Sequence, residues 1–196
     1  MELSFEHLFT LGLGIALAAS CGFRVFLPLL VVGVSNRADY LPIPEHFSWI
    51  ASNPALILLA SATIAETLAY FIPWFDNLLD TIASPAAAIA GGIMTYGIID
   101  GFPPWLHWSL AIIVGAGTAG TIQTGTVAVR AGSSATTGGL ANPAVAAGET
   151  AAAGTMVAAA VFTPALAAVA TIVLLFFCAK FAWGLLRGKN PEGEIS

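Results

Sequence analysis

Three ionisable residues stand inside long apolar runs of this chain: Arg24, Glu66 and Glu149. A charge at the centre of a membrane-spanning helix costs about 2.5–3.5 kcal/mol on insertion scales, so each should face a protein interior and find a partner there. Two chemistries fit the set. The glutamates could take up and release protons or cations along a pathway, with Arg24 holding an anion or balancing a glutamate. Alternatively, the three form buried ion pairs that specify helix packing and nothing more.

Two further groupings supply candidates. Asp76 and Asp80 are four residues apart, which sets both carboxylates on one helix face and makes a cation site possible. Asp76 as a helix cap with Asp80 in the first turn explains the same spacing without a ligand. A Gly/Ser/Thr loop is expected from Arg130 to Ala141, and within it Arg130 to Gly139 offers one cation, the hydroxyls of Ser133, Ser134, Thr136 and Thr137, and accessible backbone N–H groups. An anion could sit there against the helix start at Asn142-Pro143. The plainer reading is a cytoplasmic loop carrying an arginine, and no Gly-Lys-Ser/Thr follows to make it a P-loop.

Nothing arranges these groups for catalysis. His7, His46 and His107 are far apart in sequence, and neither a Ser/His/Asp arrangement nor HExxH is present. Cys21 and Cys178 sit singly in apolar segments. No enzyme activity, metal or other cofactor is therefore expected.

The elements that must position these residues are helices in a bilayer. Of the 196 residues 58% are hydrophobic and only 9% charged, against about 25% charged in soluble domains. Mean hydropathy is +0.88. The pattern predicts an all-α, polytopic bundle in one transmembrane domain over 1–196, with spans near 8–34, 53–71, 78–99, 105–129, 142–162 and 164–183. Arg24 falls mid-span between Gly22 and Pro28, which together permit a kink or break. All five tryptophans (Trp49, Trp74, Trp105, Trp108 and Trp183) fall at span ends, as an aromatic belt requires. With both termini cytoplasmic, Arg130, Lys180, Arg187 and Lys189 lie inside and Arg37 outside, which satisfies the positive-inside rule for a bacterial cytoplasmic membrane.

Spans two and five both open with Asn-Pro-Ala, at Asn53 and Asn142, and each then carries one glutamate. Two inverted three-helix halves would look like this, although Asn-Pro is also a common way to start a helix. From Gly115 to Thr155 nearly every side chain is small, and Arg130 and Glu149 are the formal charges there. Such faces let helices approach closely, within one chain or between copies in a homo-oligomer. The expected partners are the lipid bilayer and a small solute. With six basic residues and a net charge of -5, nucleic acid is excluded.

Read together, Gly22 to Leu30, Glu66 with Ile72-Pro73-Trp74-Phe75-Asp76-Asn77-Leu78-Leu79-Asp80, and Arg130, Gly139, Asn142-Pro143 and Glu149 resemble a family of bacterial integral membrane proteins catalogued as domain of unknown function 4126. The resemblance covers most of the chain. It implies a polytopic membrane protein and no established activity. The family pattern often has Asp-Lys just before the Ile-Pro, where this chain has Tyr70 and Phe71. Two functions remain open: a small secondary transporter or channel for a small or anionic solute with proton coupling, and a non-catalytic membrane scaffold or accessory subunit.

Overall fold

The computed structural model describes residues 5–70 and 75–187, with backbone alone at 75–78, 181–183 and 185–187. Trp74 lies outside the described residues, and so do the side chains of Asp76 and Trp183. The elements are α1 (Phe5–Phe23), α2 (Phe26–Arg37), a 3-10 segment (Glu45–Ala51), α3 (Asn53–Ala69), α4 (Phe75–Ile98), α5 (Pro104–Ser109), a π segment (Leu110–Ala116), α6 (Gly117–Thr137), α7 (Asn142–Phe162) and α8 (Pro164–Arg187). The all-α bundle is as expected.

Among the described residues, four apolar helices are long enough to cross a bilayer: Phe5–Phe23, Leu79–Ile98, Pro104–Thr137 and Asn142–Phe162. The 3-10 segment and α3 are apolar and long enough only when taken together, with a 59° bend between them, and Pro164–Lys180 is a shorter apolar helix. The bounds of α7 coincide with the fifth predicted span.

The first predicted span, 8–34, is two helices. Pro28 has no N–H and its ring crowds the carbonyl four residues back, that of Arg24, so α1 cannot run on through this point. The chain then turns back. At the start of α1, His7 Nε2 lies 3.2 Å from the Gly101 carbonyl, beyond the end of α4. At the break, Arg24 contacts Ala146 and Thr150 near the start of α7. Past the end of α2, Tyr40 packs on Phe162 at the other end of α7, with ring centroids 6.3 Å apart. Gly12 faces Ala168, one turn beyond that same end. So α1 descends into the bundle and α2 returns to the side from which α1 entered.

The second correction concerns 130–137, expected as a loop and found as the last two turns of α6. The hydroxyls of Thr136 and Thr137 bond carbonyls of their own helix at Gly132 and Ser133, so they are not free to cradle an anion. Helix α6 ends at Gly138, whose φ of 63° is the left-handed conformation that glycine adopts without strain.

α1 is the central element, packed by α4, α6, α7 and α8. Its second half, from Leu13 through Gly22, is almost wholly buried, and mostly small side chains there admit neighbours on every side. A Cβ on Gly22 would lie 2.6 Å from the Ala119 carbonyl oxygen on α6. α4 and the π segment meet just as closely: a Cβ on Gly91 would lie 2.7 Å from the Gly115 carbonyl oxygen.

α3 packs chiefly on α2 at the edge, whereas α7 is central, so the two Asn-Pro-Ala helices are not structural equals. In both, the asparagine is the first helical residue and not the cap; Ser52 and Ala141 precede it, and the Ser52 hydroxyl accepts from Ala55 N–H at 3.4 Å.

Candidate functional site

The break between α1 and α2 creates the site. A helix start leaves backbone N–H groups unpaired, and deep in a bilayer no water can serve them. Glu66 on α3 does so: Val25 N–H donates to Oε1 at 2.8 Å and Phe26 N–H to Oε2 at 3.2 Å. A carboxylate also suits the positive end of the helix dipole.

Arg24 reaches from the break to α7. Its Nη2 donates to the Ala146 carbonyl at 2.6 Å and its Nε to Thr150 Oγ1 at 3.0 Å. Glu149 Oε2 lies 3.8 Å from the same Nη2. The arginine is 2% exposed, and its Nη1 has no hydrogen-bond partner.

Arg130 enters from α6, because the helix continues through the stretch expected as a loop. Its Nε donates to Glu149 Oε1 at 3.1 Å and its Nη2 to Glu149 Oε2, a two-point fork on one carboxylate. Its Nη1 donates to Asp80 Oδ1 on α4. Tyr70, capping α3, completes the group. The guanidinium carbons of Arg24 and Arg130 lie 4.3 and 3.9 Å from its ring centroid, and its hydroxyl donates to Asp80 Oδ1 at 3.4 Å. Cations over an aromatic face are attracted by its quadrupole, more strongly where water is excluded.

Five elements thus converge on two arginines and three carboxylates. Glu149 sits about 10 Å along α7 from Asn142 and about 20 Å from Phe162, well inside the length of that apolar helix. Arg24, Glu149 and Arg130 meet directly, Asp80 joins through Arg130, and Glu66 stands behind the break. Asp80 Oδ1 is engaged by Arg130 and Tyr70, and the side chain of Asp76, its predicted partner in a cation site, lies outside the described residues. Asn142 is outside the cluster: its Nδ2 donates to Ser134 Oγ at 2.9 Å, which ties the start of α7 to α6.

An apolar cavity of about 690 Å3 opens beside the cluster, between α6, α7 and α8. Ile122, Val129, Gly148, Leu174 and Phe177 are among its walls, and Glu149 is the charged residue in its lining.

Sequence reasoning missed Tyr70, treating its position as the loss of a family acid. The usable signal was an aromatic residue ending a span within one turn of an intramembrane glutamate. It also missed Gln123, buried on α6 with Nε2 unpartnered. At the opposite end of the bundle, His46 and His107 meet although sixty-one positions separate them: both approach the Tyr96 carbonyl, at 3.3 and 2.8 Å, with ring centroids 5.9 Å apart.

A search of curated proteins and a search of solved structures each found no match. The family profile described as Domain of unknown function (DUF4126) matches residues 11–183, a range that holds the whole cluster from Arg24 to Thr150. With a match over most of its length, this chain belongs to the DUF4126 family.

Proposed function

We propose that the chain is a small secondary transporter or channel of the bacterial cytoplasmic membrane, carrying a small anionic solute with proton coupling and performing no catalysis. The observation behind this reading is Arg24, a buried cation in a helix break, with one nitrogen unpartnered and a glutamate 3.8 Å away. Broken helices that end at membrane depth are how transporters bring helix termini and charges to a midplane solute. Non-helical backbone is tolerated at that depth where protein buries it or a cavity borders it. The fold-back of α2 leaves Arg37 at one end of the bundle and Lys180 and Arg187 toward the other. The positive-inside bias then makes the α8 end cytoplasmic and the start of α1 external, in place of two cytoplasmic termini.

Flux of small oxyanions into proteoliposomes, driven by an inwardly directed proton gradient (acid outside), tests the reading. Wild-type vesicles should accumulate an anion above protein-free vesicles, and Arg24→Gln, if still folded, should not. Correctly folded wild-type protein that moves none of them sinks it.

One observation favours a second reading, the scaffold. Glu66, Asp80 and Glu149 are each matched to backbone N–H groups or an arginine, as a purely structural network would be. In that case Arg24→Gln lowers stability or loses a partner protein, and no flux exists to lose.

A further inference from the structure

Glu149 is held as a bound anion would be. Arg130 grips both its oxygens, Arg24 Nη2 lies 3.8 Å from Oε2, and the Tyr70 ring lies against both guanidiniums. We infer that Glu149 is a displaceable internal anion: when it takes a proton, a small external oxyanion replaces its carboxylate between Arg130 and Arg24, so one proton and one anion occupy the site together. This deepens, and rests on, the transport reading above.

Three features carry the inference. The first is the shape of the donor set, a planar fork that fits the two oxygens of a carboxylate or nitrate. The second is Arg24 Nη1, a buried donor that Glu149 does not use and a replacing oxyanion could. The third is room to leave. Glu149 lines the 690 Å3 cavity, and a Cβ added at its neighbour Gly148 would meet nothing within 4 Å. A neutral carboxyl can swing toward that apolar wall at a small fraction of the cost of a carboxylate.

The surrounding groups single out Glu149 as the proton acceptor. Arg24 faces it from the α1–α2 break, Arg130 from α6, Tyr70 from the end of α3, and Asp80 from α4 across Arg130. Glu66 stands behind Val25, and Cys178 on α8 borders the same cavity. Asp80 holds one arginine nitrogen, and Glu66 holds backbone N–H groups that a solute cannot reach without unwinding α2. Glu149 touches both arginines and the cavity. The exchange adds one positive and one negative charge, so the net charge of the site is unchanged, as a low-dielectric site demands.

The test is anion binding to the purified, detergent-solubilised full chain by calorimetry, with acetate and nitrate as probes, in buffers of differing ionisation enthalpy. Wild type should bind more tightly as pH falls, by up to about tenfold per pH unit, and take up close to one proton per anion where the free protein has Glu149 ionised. Glu149→Gln should bind at mildly alkaline pH as tightly as wild type does in acid, with no proton uptake. Binding by wild type without proton uptake, or with the same pH dependence in Glu149→Gln, overturns the inference and leaves the transport reading standing. If Glu149→Gln does not fold, the wild-type proton count alone decides. Absence of binding by wild type at every pH removes the transport reading, and this inference with it.

Discussion

Glu66 closes the start of α2 from a different helix, its two carboxylate oxygens accepting from Val25 and Phe26 N–H at 2.8 and 3.2 Å. The capping group is therefore supplied by α3, forty residues downstream, and holds a broken helix at membrane depth. Glu66→Gln keeps one acceptor oxygen and turns the other into a donor aimed at an N–H. The expected loss is about 1–3 kcal/mol of stability, because a buried donor goes unpaired. Thermal unfolding in detergent measures it. A variant as stable as wild type would show that Glu66 does not cap α2.

The close approach of α4 and the π segment gives a sharper contrast, between adjacent residues. A Cβ on Gly91 would lie 2.7 Å from the Gly115 carbonyl oxygen, and one on Gly115 would lie 2.6 Å from the Gly91 carbonyl oxygen. Backbone cannot move aside as a side-chain tip can, so Gly91→Ala or Gly115→Ala should cost about 1–3 kcal/mol or more. At Gly92 the nearest atoms are 3.5 and 3.7 Å away, ordinary contact. Gly92→Ala should be neutral or slightly stabilising, since alanine favours helix by about 1 kcal/mol over glycine. Equal effects at 91 and 92 would count against the packing described.

What was legible in the sequence followed from burial cost. Arg24, Glu66 and Glu149 had to be interior because lipid excludes them, and so they are. The start of α7 was legible from Asn142-Pro143. The direction of α2 was not. An apolar run interrupted by Gly22, Arg24 and Pro28 signals a break, but nothing in its composition says whether the chain continues across or turns back. Residues 130–137 were misread because Gly, Ser and Thr have weak helix propensity, and packing overrides it. That error placed Arg130 in a loop, whereas one more turn of helix points it into the cluster. Tyr70 went unseen because its part depends on two arginines from distant elements stacking on one ring.

Tyr70 itself separates ring from hydroxyl. Tyr70→Phe keeps the ring that Arg24 and Arg130 both lie against and gives up a long 3.4 Å bond to Asp80, so a loss below about 1 kcal/mol is expected. Tyr70→Leu removes the ring from two desolvated cations at once and should cost about 2 kcal/mol or more. Denaturation of the two variants side by side checks this. If Phe is as damaging as Leu, the hydroxyl and not the ring holds the cluster.

The fold-back of α2 can be read out in membranes without knowing any solute. Glu6, near the start of α1, and Ala38, just past α2, are both exposed and lie toward the same end of the bundle; exposed Leu140 lies between α6 and α7 at the other end. In a background with Cys21 and Cys178 replaced by alanine, Glu6→Cys and Ala38→Cys should react with an impermeant maleimide from one side, and Leu140→Cys from the opposite side. A single uninterrupted span over 8–34 demands the reverse for the first pair, because one crossing puts residues 6 and 38 on opposite faces. Labelling of Glu6→Cys and Ala38→Cys from opposite sides would therefore remove the fold-back. The broken-helix argument for a solute site at Arg24 would go with it, since the arginine would then sit in a kinked span and not at the tip of a returning pair.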